Sequence, residues 1–113
     1  MSAIGDERVT IAAKLAAAGI PVVLDPRAVA PFVLVGAPSV VAGAGVGGWT
    51  VDYPVHVVAT TPAAADQLDW LLEQTELVLR TLGATAADPA TYSDRDNPAY
   101  TLVYRRDVTN PDC

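Results

Sequence analysis

Apolar and polar positions repeat with two different periods along this chain, and Pro, Gly and Asp clusters separate the segments. From about Ser2 to Ala18 the period is helical: Ile4, Ile11, Ala12, Leu15 and Ala18 share one face, with Asp6, Glu7, Thr10 and Lys14 opposite. Ser2 or Asp6 can cap the start. Gly19 suits the left-handed position after a helix end, Ile20 can fold back on the last turn, and Pro21 forbids continuation. Short apolar strands are expected at Pro21–Leu24 and Pro31–Val35, with Val40-Val41 as an extension of the second past a kink.

The residues from Ala42 to Gly48 are Gly-rich and read as a hairpin loop. Trp49–Ala59 has the clearest period of two: Trp49, Val51, Tyr53, Val55 and Val57 alternate with Thr50, Asp52, Pro54, His56 and Val58. Pro54 cannot donate to a ladder, which predicts an edge strand or a bulge there. Thr61 as N-cap and Pro62 at the first helical position open a second helix, closed by Gly83. Its apolar stripe is Ala64, Leu68, Leu71, Leu72, Thr75, Val78, Leu79 and Leu82, with Asp66, Asp69, Glu73, Glu76 and Arg80 facing water. Asp88–Pro98 reads as a polar loop, Ala99–Val108 as the last strand, and Asn110-Pro111-Asp112 as a tail.

The order α-β-β-β-α-β, with links too short for crossovers among the first three strands, predicts a small antiparallel sheet. Two helices on one face of it make a two-layer α+β fold, a single domain over residues 1–113. The expected core holds Ile11, Leu15, Val33, Val51, Val55, Leu68, Leu72, Leu79 and Leu102, each worth roughly 1.5 to 3 kcal/mol when fully buried. Leu72→Ala is accordingly expected to cost roughly 2 to 5 kcal/mol.

Composition narrows the function classes. A chain of 113 residues with 51% hydrophobic content is long enough to hold a core without disulfide or metal. No apolar run reaches the roughly 18 residues of a membrane span, and the N-terminus lacks the basic and apolar regions of a signal peptide. No membrane association and synthesis in a cytoplasm are therefore expected. Cys113, the one cysteine, has no internal partner. A net charge of −6, with a single local basic pair at Arg105-Arg106, argues against nucleic-acid binding by phosphate neutralisation.

Candidate chemistry is thin. Gly43-Ala44-Gly45-Val46-Gly47-Gly48 matches the dinucleotide pattern G-x-G-x-x-G, but an alternating strand follows where the pyrophosphate-binding helix should begin. Asp94-Arg95-Asp96-Asn97 lacks the Gly and distal Glu of a calcium loop. His56, the only histidine, has no second histidine for a metal, and Ser2, Ser39 and Ser93 lie in no nucleophile-elbow pattern. No enzyme activity, cofactor or metal is expected. Trp49 and Trp70 read as core or interface anchors. The candidate subunit contacts are Gly43, Gly45, Gly47, Gly48, Trp49, Trp70, Asp94, Arg95 and Asp96.

Four stretches together resemble the tail-terminator proteins of long-tailed phages with non-contractile tails. They are the helix from Ile4-Gly5-Asp6-Glu7-Arg8 to Gly19-Ile20-Pro21; Pro31-Phe32-Val33-Leu34-Val35-Gly36 before a variable loop; the strand Trp49–Val58 leading to an acidic-faced helix; and Asn97-Pro98-Ala99-Tyr100-Thr101-Leu102-Val103-Tyr104. The resemblance implies a structural protein of the virion, assembled in the host cytoplasm as a homo-hexameric ring. Such a ring ends the tail tube, meets the tail tube protein on one side and a head-side neck protein on the other, and passes DNA through its lumen. A head-tail stopper, a head-completion protein and a small non-viral α+β ligand-binding module are the alternatives left open.

Overall fold

A computed structural model of the chain describes residues 3–24, 31–42, 48–59, 65–92 and 97–109. Its elements are α1 (Ala3–Ala17), β1 (Val22–Val23), β2 (Phe32–Val35), β3 (Ser39–Ala42), β4 (Gly48–Val58), α2 (Ala65–Leu82), β5 (Asp88–Tyr92) and β6 (Asn97–Thr109). The sheet order is β1-β2-β4-β6-β5, with β3 also paired to β4. The α+β class and the order α-β-β-β-α-β stand, with more strands than the pattern foretold.

Both helices end where glycine permits. Gly19 has φ 83°. The Ile20 amide donates to Leu15 at 3.2 Å and the Gly19 amide to Ala16 at 3.0 Å, the paired bonds of a left-handed C-terminal cap. Gly83 has φ 70°, and the Ala84 amide donates back to Leu79 at 3.0 Å. The expected Thr61 cap and Pro62 lie outside the described residues.

The sheet departs from expectation in three places. First, β1 and β2 pair in parallel, not as a hairpin. The two strands run in the same direction, so their short spacing in sequence did not force an antiparallel turn. Second, β3 is not a continuation of β2. β2 pairs with Val55–Val58 of β4 and β3 with Trp49–Asp52, on the same margin of β4. Pro54 lies in the gap between them, and its carbonyl accepts from the Gly36 amide at 2.8 Å. A residue's N–H and C=O point to the same side of an extended strand, so the missing N–H of Pro54 faces this gap. Pro54 is thus neither on an edge strand nor at a bulge; β6 pairs along the whole other side of β4. Third, Asp88–Tyr92 of the expected polar loop is the edge strand β5, paired with Asn97–Thr101. Strand propensity is weak against pairing context, and an edge tolerates Pro89.

Odd-numbered residues of β4 point toward the helices. Val51, Tyr53, Val55 and Val57 are buried there with Val33, Val35 and Leu102, against Ile11, Ala12 and Leu15 of α1 and Leu71, Val78 and Leu82 of α2. The Thr75 hydroxyl, buried in the same interface, donates to the Leu71 carbonyl at 2.7 Å. Polar tethers fix α1: Arg8 donates to the Val35 and Leu24 carbonyls, the Tyr53 hydroxyl donates to the Ile4 carbonyl at 2.6 Å, and Arg106 pairs with Glu7 at 3.0 Å. A second cluster, Phe32, Leu34, Val58 and Ala99, lies on the opposite face at the β2 end of the sheet.

The core assignment needs a correction at α2. Leu68 and Leu72 are 49% and 44% exposed, and Leu79 is only half-buried. At 100° per residue the buried row Leu71, Thr75, Val78 and Leu82 spans a narrow arc. Leu68, Leu72 and Leu79 sit on one flank of it, Trp70 and Leu77 on the other. The helix is rolled toward the second flank: Trp70 and Leu77 pack against the core, as does Leu79 of the first flank, while Leu68 and Leu72 stay exposed. A stripe of eight apolar positions was wider than the face a helix lays on a sheet, and periodicity alone does not say which flank wins. The expected loss for Leu72→Ala falls with its exposure.

Candidate docking surface

β4 and β6 form the spine of the molecule, paired in register from Gly48↔Thr109 to Val58↔Ala99. The helices cover the half around Val55. Where β3 joins, Val51 and Val108 are still buried in the core, and the cover ends at Trp49. Trp49 shows the change. It occupies the same face as the buried Val51 and Tyr53, yet is 37% exposed beside Val40, also exposed, and Val108, which is buried.

The outer face of the spine carries cross-strand polar pairs. Arg105 grips Asp52 with two bonds of 2.7 and 3.1 Å. The Thr50 hydroxyl donates to the Asp107 carboxylate at 3.2 Å, and His56 Nδ1 and the Thr101 hydroxyl share a hydrogen bond of 2.9 Å. The Arg105 guanidinium holds the Asp52 carboxyl below its usual range. Burial lowers the His56 pKa below its ordinary 6.5, favouring the neutral ring. Burial also pushes the Tyr53 phenol up, helped by the Glu7 carboxylate. These groups satisfy one another, so the face offers few free polar handles to a ligand. Within this row of side-chain pairs Pro54↔Val103 is apolar, and Gly36 packs against Pro54, where a Cβ at Gly36 would lie 3.2 Å from the Pro54 ring.

The margins of this half are different. β5 pairs with β6 only as far as Thr101. Among the described residues no strand meets the remaining margin, Leu102 to Thr109, on the side away from β4, and none meets β3 on its outer side. Where the 83–88 connection turns away from β6, a groove of about 590 Å³ opens along that margin, lined by residues including Ala84, Ala86, Pro89, Leu102 and Tyr104. Two exposed valines flank the spine on its outer face: Val41 of β3 at 65% and Val103 of β6 at 58%.

The expected contact residues divide accordingly. Gly48 and Trp49 open β4, and Trp49 is partly exposed there. Trp70 is partly buried against the core, which gives it a structural role and leaves little of it for a partner. Gly43, Gly45, Gly47, Asp94, Arg95 and Asp96 lie outside the described residues. The sequence reading missed Val40, Val41, Val103, Leu68 and Leu72. A signal was present: two adjacent valines in one strand cannot both face one core, and Val103 falls among the polar positions of β6. Among the described residues no group of three or more His, Cys, Asp or Glu side chains is placed to hold a metal, and no helix is long and apolar enough to cross a membrane. Comparison of the chain with family models, curated proteins and solved structures gave no match in any of the three.

Proposed function

We propose that this chain is a structural subunit of a phage tail, a terminator that closes into a ring on the tail tube and joins it to the head side of the neck. The observation that carries the reading is the division of the molecule. Around Val55 the sheet is sealed by two helices, and toward β3 it exposes Val40, Val41, Trp49 and Val103, beside strand margins that no other strand meets among the described residues, which suits another protein surface. Rings need two different patches per subunit, and the spine has two unlike margins. A net charge of −6 suits a ring through which DNA slides without adhering.

The test is the mass and shape of the protein in solution, by size-exclusion chromatography with light scattering and by negative-stain imaging, alone and with tail tubes. Rings, or caps on tube ends, are the expected result. A protein that stays monomeric at every concentration and binds no tube end contradicts the reading. The groove beside β6 favours a second reading, a small ligand-binding module. Under it, a panel of metabolites would raise the melting temperature at millimolar concentration.

A further inference from the structure

We infer that neighbouring copies of this chain pack end to end, the exposed Leu68 and Leu72 flank of α2 in one copy resting on the Val40 and Trp49 end of the sheet in the next. The inference rests on the ring reading above and adds which two surfaces make the joint.

Position carries the first step, because the two surfaces lie at opposite ends of the spine. Gly83 and Ala84, just past α2, line the groove with Leu102–Arg105, which stand opposite Val55–Asp52. α2 therefore ends level with the middle of β4. Only residues 59–64 join Val58 to Ala65, and seven Cα steps reach at most about 25 Å. A helix of 18 residues is about 27 Å long. Had α2 come from the Trp49 end, its start would lie roughly 40 Å from Val58, beyond that reach. It begins instead at the Val58 end, with Leu68 and Leu72 in its first half.

The chemistry of the two surfaces carries the second step. Val40 stands opposite Val51 and shares the face that the helices cover elsewhere, as does Trp49, and both are exposed where that cover ends. A helix with apolar side chains is what this face already packs against, and α2 has two exposed leucines one turn apart on a single flank. Charge selects the pairing. The solvent side of α2 carries Asp69, Glu73 and Glu76 against the one cation Arg80, so this flank laid on a second copy of itself would bring like charges together. At the Trp49 end, among the described strand residues, Arg106 is the one charge on the helix-side face; Asp52, Arg105 and Asp107 point to the outer face. Arg106 donates to Glu7 through Nε, and its side chain is still 47% exposed. An acidic, leucine-bearing helix flank thus meets a surface of valine, tryptophan and arginine. Each joint uses one surface of each kind, so the contact is head-to-tail and closes as a ring.

Two variants and their mixture test the joint by light scattering. Val40→Glu sets an acid on the sheet end and Leu72→Glu sets one on the α2 flank; both sites are exposed, and circular dichroism checks that each variant keeps the fold. The wild type is expected to form species larger than a dimer, and each variant alone to remain at the monomer mass. Mixed in equal amounts, the two are expected to give a species of twice the monomer mass and nothing larger. The intact α2 flank of the Val40→Glu protein meets the intact sheet end of the Leu72→Glu protein, and the other two surfaces are blocked. Val9→Glu, at an exposed valine of α1 outside both surfaces, is expected to assemble as the wild type does. If the wild type forms larger species and either Val40→Glu or Leu72→Glu does so too, or if their mixture stays monomeric, the surface assignment is overturned and the ring reading stands. Loss of assembly in Val9→Glu also overturns the assignment, since added charge alone then accounts for the losses. A wild type that stops at the dimer overturns the head-to-tail joint, and one that is monomeric at every concentration overturns the ring reading with it.

Discussion

The two halves of β4 carry the same alternating pattern and meet different fates. Around Val55 and Val57 the inward side chains are sealed beneath α1 and α2, while at Trp49 the same face of the same strand is open. Alternation therefore states which residues share a face and does not state whether that face is covered. A strand end patterned for burial but left partly exposed, as at Trp49, is where a partner would contribute the missing layer.

The largest contrast lies within α2. Leu71→Ala removes a buried side chain and is expected to cost roughly 2 to 5 kcal/mol in urea unfolding. Leu72→Ala, one residue along, is expected to cost under about 1 kcal/mol, because its side chain is already half in water. Equal losses would mean the helix is rolled the other way. A smaller effect is expected for Tyr53→Phe, which removes the hydrogen bond holding α1 to the covered half and should cost roughly 0.5 to 1.5 kcal/mol.

Acidification should act through His56 before it acts through Asp52. The folded-state pKa of His56 is lowered, so below pH about 6.5 the unfolded chain takes up a proton that the folded chain resists. Stability then falls as pH drops through that window, and His56→Gln should flatten the slope. Asp52 also has a lowered folded pKa, and its contribution is lost only at lower pH, below its ordinary value of 3.8 and through its folded one. The smallest effect on the monomer is expected at the exposed Val41 of β3. Val41→Ser should change unfolding free energy by less than about 0.5 kcal/mol while weakening association. A large destabilisation there would mean that β3 is held by its own chain more firmly than its exposure indicates.

Much of this fold was legible in the residues. Gly19 and Gly83 marked both helix ends, and the period of two located β4 and its inward face, because caps and alternation are local facts. What was not legible depended on distant partners. Asp88–Tyr92 becomes a strand only because β6 passes beside it. The roll of α2 depends on which flank of the stripe meets the sheet. The parallel pairing of β1 with β2 is a matter of strand direction that spacing does not encode. At the candidate surface, Trp49 and Gly48 were found because aromatic residues and turn glycines stand out. Val40, Val41 and Val103 passed unnoticed because a valine in a strand normally signals core.

The most direct test is amide hydrogen exchange followed at low and high protein concentration. The account predicts that amides around the exposed Val40, Val41 and Trp49 slow markedly as concentration rises, while Val33–Val35 in the covered half do not change. Unchanged exchange there, with new protection appearing instead on α2 around Leu68 and Leu72, would contradict it.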